Sequence, residues 1–175
     1  MTEQQYLAFD RAAEFRHEFL DGEIVPRLGA DILHATVQMD LICELHASLR
    51  GTACEVFGSD LRVRVSPLMY TYPDLTVDEH EDILLNPAVI FEVVSPSTEF
   101  YDRGVKFRRY REIESLTDYI LVDQGQIRIE QFTRADANTL TLHDYQRAED
   151  VLRIASIGVS LPLAAIYDRS ELTAE

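Results

Sequence analysis

Ala88 to Thr98 reads AVIFEVVSPST, and this stretch decides how the chain is arranged. From Ala88 to Val94 every residue is apolar except Glu92. On the two-residue period of a strand, Val89, Phe91 and Val93 point one way, and Ile90, Glu92 and Val94 the other. A strand apolar on both faces is covered on both, which predicts the central strand of a sheet with packing on either side. An ionised carboxylate at Glu92 then costs several kcal/mol, roughly, unless a cation or hydrogen-bond donors compensate it. The sequence offers a metal ion shared with Asp74, the ammonium of Lys106, or both.

Upstream, Leu61, Val63 and Val65 alternate with Arg62 and Arg64 in a half-exposed strand that ends at Ser66-Pro67. Tyr70 to Val77 is expected as the next strand, antiparallel to it. Pro73 lacks an amide hydrogen and suits a strand start or a position turned away from the ladder, which places Asp74 near that strand's end. The acidic run Asp78-Glu79-His80-Glu81-Asp82 reads as a solvated connection. Downstream, a helix is expected from about Asp102, as N-cap, to Glu114. Phe107, Tyr110 and Ile113 form its inward face, Arg108, Arg109 and Arg111 turn mostly outward, and Lys106 sits at the edge, able to lean over the sheet. Tyr119 to Val122 follows as a buried strand, and the strand, helix, strand crossover sets it parallel to the central one.

The ends of the chain supply the remaining layers. Thr2 begins an amphipathic helix, with Gln5 completing a capping box and Tyr6, Leu7 and Phe9 or Ala13 facing a core. Asp21-Gly22 is a strong hairpin signal between His17 to Leu20 and Glu23 to Val25. Glu18 and Glu23 flank that turn and read as solvated strand edges, with Glu18 kept as a secondary site candidate. Asp31 to Leu49 is a second helix on the spacing of Leu33, Val37, Leu41, Leu45 and Leu49, ended by Gly51. His34 and His46, twelve residues apart, lie on different faces of it and form no metal pair, although His34 is placed to approach a neighbouring site. A C-terminal hairpin joins Ile127–Phe132 to Thr139–Tyr145, a short strand follows near Val151 to Ile154, and Ser160 to Leu163 reads as the start of a last helical turn.

With 175 residues and 46% hydrophobic content, the whole of residues 1–175 fits a single domain. No apolar run suits a signal peptide or a membrane span, so a cytoplasmic protein with no membrane partner is expected. Cys43 and Cys54 are too few for a disulfide framework and read as packed, reduced thiols. The net charge of −15 repels phosphate on average, so any nucleic-acid contact must be local. Of the sixteen Lys and Arg residues, Lys106 is the only lysine. A chain otherwise given to Arg that keeps one compact, titratable ammonium beside its buried acid marks that position for function.

Asp74, Glu92 and Lys106 come from a strand end, the next strand and the helix after it. Two carboxylates on adjacent strands can share a hard divalent ion such as Mg2+ or Mn2+, which takes only one or two protein carboxylates and keeps several waters. The Val93 carbonyl is a candidate third ligand. A phosphate oxygen would complete the shell, and Lys106 would orient the attacking water or stabilise developing negative charge. That is the machinery of phosphodiester hydrolysis by in-line attack. A fold kept for binding nucleic acid or a protein partner without turnover, and a purely structural ion-pair network, are the competing readings.

The segments YPDLTV, IFEVVSPST and DRGVKFRRYR, with HEFLDGEIV and the His34 helix, resemble the Uma family of restriction-endonuclease-like nucleases over about Tyr6 to Tyr167. In the wider PD-(D/E)xK superfamily an acid after proline and an acid on the next strand bind the metal, which by position are Asp74 and Glu92. The superfamily's lysine position falls on Val94, and the resemblance implies that Lys106 of the following helix supplies the amine. It also implies an α/β fold with a central mixed β-sheet flanked by helices and a C-terminal β-hairpin, and a magnesium-dependent activity on DNA. A homodimer is expected because nucleases that cut both strands often pair two copies of one site and isologous dimers are the commonest assembly.

Overall fold

The computed structural model describes residues 1–27, 29–78 and 85–170. In chain order the elements are α1 (Glu3–Ala12), β1 (His17–Leu20), β2 (Glu23–Pro26), α2 (Ile32–Ser48), β3 (Glu55–Gly58), β4 (Val63–Ser66), β5 (Met69–Thr71), β6 (Leu75–Asp78) and β7 (Val89–Val94). Then come α3 (Glu99–Tyr101), a π-helical turn (Asp102–Lys106), α4 (Phe107–Tyr110), β8 (Asp118–Asp123), β9 (Ile129–Arg134), β10 (Leu140–Tyr145), β11 (Val151–Ile154), β12 (Val159–Pro162) and α5 (Leu163–Ile166). Glu79 to Asp82 of the acidic run lie outside the described residues.

The main sheet has the order β10-β9-β8-β7-β6-β3, with β7 and β8 parallel and every other pair antiparallel. This is the mixed sheet flanked by helices that the sequence predicts. All six residues of β7 are buried. Val89, Phe91 and Val93 pack with Val37, Leu41 and Leu45 of α2 and with Leu152, Leu161 and Ile166 near the C-terminus. Ile90 and Val94 pack on the opposite face with Tyr110, Ile113, Tyr119 and Leu121. The period-two reading of the stretch thus assigns each side chain to its layer, and it leaves Glu92 beneath the α3 to α4 segment.

A second sheet, β2-β1-β5-β4, is antiparallel throughout. Its β1–β2 turn has positive φ at both Asp21 (48°) and Gly22 (94°), the geometry that makes Asp-Gly a two-residue hairpin turn. Tyr6 of α1 stacks on Phe19 at 4.9 Å between ring centroids and is fully buried; of the alternatives Phe9 and Ala13, Phe9 is 41% exposed and Ala13 is half-buried. Asp10, a buried acid of this layer, takes the Tyr72 hydroxyl, the His17 amide and Arg62.

Four expectations are corrected. Tyr70 to Val77 is not one strand: it breaks at Tyr72-Pro73-Asp74, so that β5 joins the small sheet and β6 the large one. Every residue from Tyr70 to Val77 is buried, so periodicity carries no sign of the break, and the missing amide of Pro73 is its physical cause. The helix near Lys106 starts at Glu99, with Thr98 at its N-cap, so Asp102 lies inside it rather than capping it. Ser160–Pro162 continues β12, paired with β11, before α5 begins at Leu163, because Val159 and Leu161 alternate inward with an exposed Ser160. Cys43 is exposed on α2 rather than packed, and neither Cys43 nor Cys54 is in a disulfide.

Candidate active site

The seam between the two sheets is where chemistry collects. The β6–β7 register pairs Leu75 with Phe91, so one step further along it sets Asp74 across from Glu92. The ladder stops there, and the Asp74 side chain takes over: its Oδ2 accepts the Val93 amide at 2.8 Å. A strand residue sends its N–H and C=O to the same side, so the Val93 carbonyl is directed to the edge that Asp74 faces. Asp74 Oδ2 also meets His34 Nε2 of α2 at 3.1 Å, and Oδ1 accepts Arg27 Nη2 at 3.0 Å. Burial pushes the Asp74 carboxyl up, but the His34 hydrogen bond, the charges of His34 and Lys106 and the Val93 amide outweigh it and hold it below the ordinary aspartate value.

Glu92 is 2% exposed. Its Oε1 accepts Lys106 Nζ at 2.9 Å and the Tyr110 hydroxyl at 3.0 Å. Burial drives this carboxyl well above the ordinary glutamate value, against the pull of Lys106, and Asp102 and Asp74 push the same way. Lys106 is buried too, with Asp102 Oδ1 at 3.1 Å and Glu18 Oε1 at 3.8 Å as further partners. Burial alone would lower the ammonium, yet Glu92, Glu18, Asp102 and Asp74 together raise it well above the ordinary lysine value, so it stays charged. The i, i+4 pair Asp102–Lys106 spans the π-helical turn, a distortion common at functional sites.

Glu18, expected as a solvated edge, is 5% exposed: it accepts the Tyr72 amide at 3.2 Å and the Tyr101 hydroxyl at 3.0 Å. β1 is the inner strand between β2 and β5, and its two central residues, Glu18 and Phe19, are both buried. Glu23 is exposed, as expected. The sequence kept Glu18 as a secondary site candidate, although it read it as solvated, and missed Asp102 as a member of the cluster.

These groups line one cleft of about 570 Å³. Its carboxylates are Glu18, Asp31, Asp74, Glu92 and Asp102, and its cations Arg27 and Lys106, with His34 besides. Five against two leaves a net of −3 with His34 neutral, so the lining attracts a cation before it admits a phosphate. Among the described residues no three His, Cys, Asp or Glu side chains are arranged as a ready metal cage. The oxygen-rich donors Asp74 and Glu92 nevertheless suit a hard divalent ion that needs few protein ligands. No helix among the described residues is long and apolar enough to cross a membrane.

The architecture matches a crystal structure from Anabaena variabilis ATCC 29413 described as "a putative nuclease belonging to DUF820", with a TM-score of 0.79 and 14% identity over 96% of this chain and 98% of that one. Two proteins of Synechocystis sp. are similar in sequence. The uncharacterized protein slr1290 is 33% identical over 95% of this chain and 91% of its own length. The uncharacterized protein sll1609 is 32% identical over 77% and 81%. The family model Uma2, described as "Putative restriction endonuclease", matches residues 3–164, and the chain belongs to that family.

Proposed function

We propose that this protein is a metal-dependent endonuclease that hydrolyses DNA phosphodiester bonds, with Asp74, Glu92 and Lys106 as its working groups. The observation that carries the reading is their convergence: two buried acids and the single lysine, from three elements, line one cleft in a chain of the Uma2 family. Asp74 and Glu92, with the Val93 carbonyl, would hold Mg2+ or Mn2+. Such an ion, once bound, supplies Lewis acidity toward a phosphoryl oxygen. The chain's own groups do the rest. Lys106, held in its charged form, offers positive charge to the phosphate and is not the proton acceptor. The Val93 amide and His34 fix the Asp74 carboxylate before substrate arrives, and Tyr110 does the same for Glu92. A homodimer would present two such sites to two strands, and two cysteines outside any disulfide suit a cytoplasmic setting.

Incubation with supercoiled plasmid and Mg2+ or Mn2+ tests this. Wild type is expected to nick or linearise the plasmid and folded Asp74→Ala, assayed below its own melting temperature, to leave it intact. Equal cutting by both proteins would place the activity elsewhere.

A second reading has its own observation: Asp74 already accepts three donors and Lys106 already meets three carboxylates. A network this complete suits a nuclease fold that binds nucleic acid or a protein partner without turnover. Calorimetric titration with magnesium separates the two, since the module would take up none at millimolar concentration.

A further inference from the structure

The nuclease reading draws on the charged lining of the cleft. A second group lining the same cleft is uncharged: Gln124, just past the end of β8, and Ser95, Ser97 and Thr98, just past the end of β7. β7 and β8 are the parallel pair of the sheet. Ligands of sheets with parallel strands gather beyond the carboxyl ends of those strands.

Gln124 is 6% exposed. Its amide N–H donates to the Val94 carbonyl at 3.1 Å, which ties it to the end of β7. Its side-chain Nε2 donates to Asp31 Oδ2 at 2.9 Å, and Asp31 Oδ1 accepts the His34 amide at 2.8 Å to cap α2. The His34 amide and the Gln124 side chain hold the Asp31 carboxyl below the ordinary aspartate value, so it is ionised and only accepts. The Gln124 amide therefore has one allowed orientation, nitrogen toward Asp31 and oxygen away. That oxygen, Oε1, is buried and has no hydrogen-bond partner among the described residues. A buried acceptor without a donor is costly, and Gln124 is a lining residue of the cleft, so a ligand that reaches Oε1 would supply the missing donor.

The hydroxyls beside it form a small cluster. Ser95 Oγ lies 2.9 Å from Ser97 Oγ and 3.2 Å from Thr98 Oγ1, and Thr98 Oγ1 accepts the Ser95 amide at 3.2 Å. Each hydroxyl can donate and accept, so the cluster adapts to a polar ligand. A volume of about 570 Å³ lies within the range of small-ligand pockets. As a cube it would be about 8 Å on a side, narrower than the roughly 12 Å major groove of B-DNA. It suits a nucleotide drawn out of the base stack better than an intact duplex.

We propose that Gln124, backed by the Ser95, Ser97 and Thr98 hydroxyls, forms a subsite for the nucleotide next to the scissile phosphate, with Gln124 Oε1 accepting a hydrogen bond from a donor of that nucleotide. The subsite rests on the nuclease reading, because the charged lining of the same cleft would hold the phosphate. The donor is an N–H of the base or the 2′-hydroxyl of a ribose, and the two sources are separable.

Fluorescence anisotropy is measured with short single-stranded oligomers of deoxycytidine, of abasic deoxyribose and of abasic ribose, with calcium in place of magnesium so that no strand is cut. Gln124→Met is expected to weaken only the probe that carries the donor, by about threefold to tenfold, the range for one hydrogen bond. Selective loss on deoxycytidine assigns the base, and selective loss on abasic ribose assigns the sugar hydroxyl. Gln124→Asn, which keeps an amide but withdraws the oxygen by one methylene, is expected to show the same selective loss if the methionine variant folds poorly. An equal effect, or none, on all three probes would mean that Oε1 meets only water and would overturn the subsite alone. Failure of folded wild type to bind any probe would overturn the nuclease reading and the subsite with it.

Discussion

Lys106→Met removes one charge at nearly constant volume and leaves its carboxylate partners in place. Glu92 loses a 2.9 Å ion pair and Asp102 a 3.1 Å one, both on buried groups. Breaking a buried pair from one side costs about 3–5 kcal/mol, and that is the loss expected at pH 7. The cost has a ceiling, because Glu92 can take up a proton. Burial already pushes this carboxyl up and Lys106 is what pulls it down, so in the variant it is pushed up further and binds a proton more readily. The unfolded chain ionises it near the ordinary value of 4.5. At about 1.4 kcal/mol per pH unit, over the roughly 2.5 units from pH 7 to that value, protonation accounts for about 3.4 kcal/mol. A group whose pKa is raised by folding loses stability as pH rises and regains it on acidification. Because the loss of Lys106 raises this carboxyl further than in wild type, the deficit should be smaller near pH 5 than at pH 7. Urea unfolding of wild type and variant at both pH values, with unchanged slopes, measures it. Glu92→Gln added to Lys106→Met should recover most of the loss at pH 7. A deficit below about 1 kcal/mol at pH 7, or one equal at the two pH values, would refute the claim that this ammonium balances buried carboxylates.

His34 carries a pH dependence of its own: burial alone would lower its pKa, but the hydrogen bond and charge of Asp74 raise it above 6.5. Its stabilisation is then complete below about 6.5 and fades as pH rises through the raised value. The gap between wild type and His34→Gln should be about 1–2 kcal/mol at pH 6 and narrow by pH 9, and a gap that widens with pH would count against the pairing. Because burial raises Glu92, a divalent ion competes with protonation there, so magnesium affinity should increase from pH 6 to pH 8 with proton release visible in calorimetry. As the only lysine, Lys106 gives one ammonium signal under lysine-selective nitrogen-15 labelling, which should move in the same titration. Affinity independent of pH would put Glu92 outside the ligand set.

Much of the fold was legible because its central strand is written without ambiguity. A run covered on both faces has one place in a mixed sheet, and the short crossover behind it fixes β8 as its parallel neighbour. The Asp21-Gly22 turn and the C-terminal hairpin, β9 with β10, were legible from local turn chemistry. The division into two sheets was not. Residues 70–77 are buried throughout, so no alternation marks where the chain leaves one sheet for the other. Only Pro73 carries the information, and a proline at a strand start and a proline between strands look alike in one sequence.

The site divides along the same line. Asp74, Glu92 and Lys106 stand out one at a time, as an acid after proline, a charge in an apolar strand and a lone lysine. Glu18 and Asp102 do not, because what makes them members is distance across the seam, and no local pattern encodes that. The seam itself explains why five carboxylates gather around so few cations. Where β5 gives way to β6 the backbone ladder is interrupted, and side chains must satisfy what it leaves open: Glu18 takes the Tyr72 amide and Asp74 the Val93 amide. Two acids are thus drawn to the break by the hydrogen-bonding needs of the backbone. Once they are there, Glu92 cannot stay buried beside them unless positive charge is brought in, and Lys106 supplies one unit of it. The remaining imbalance is what a divalent cation would answer. On this account the split strand and the acidic cleft are one feature, and a change that restored a continuous ladder through residues 72–74 would remove both together.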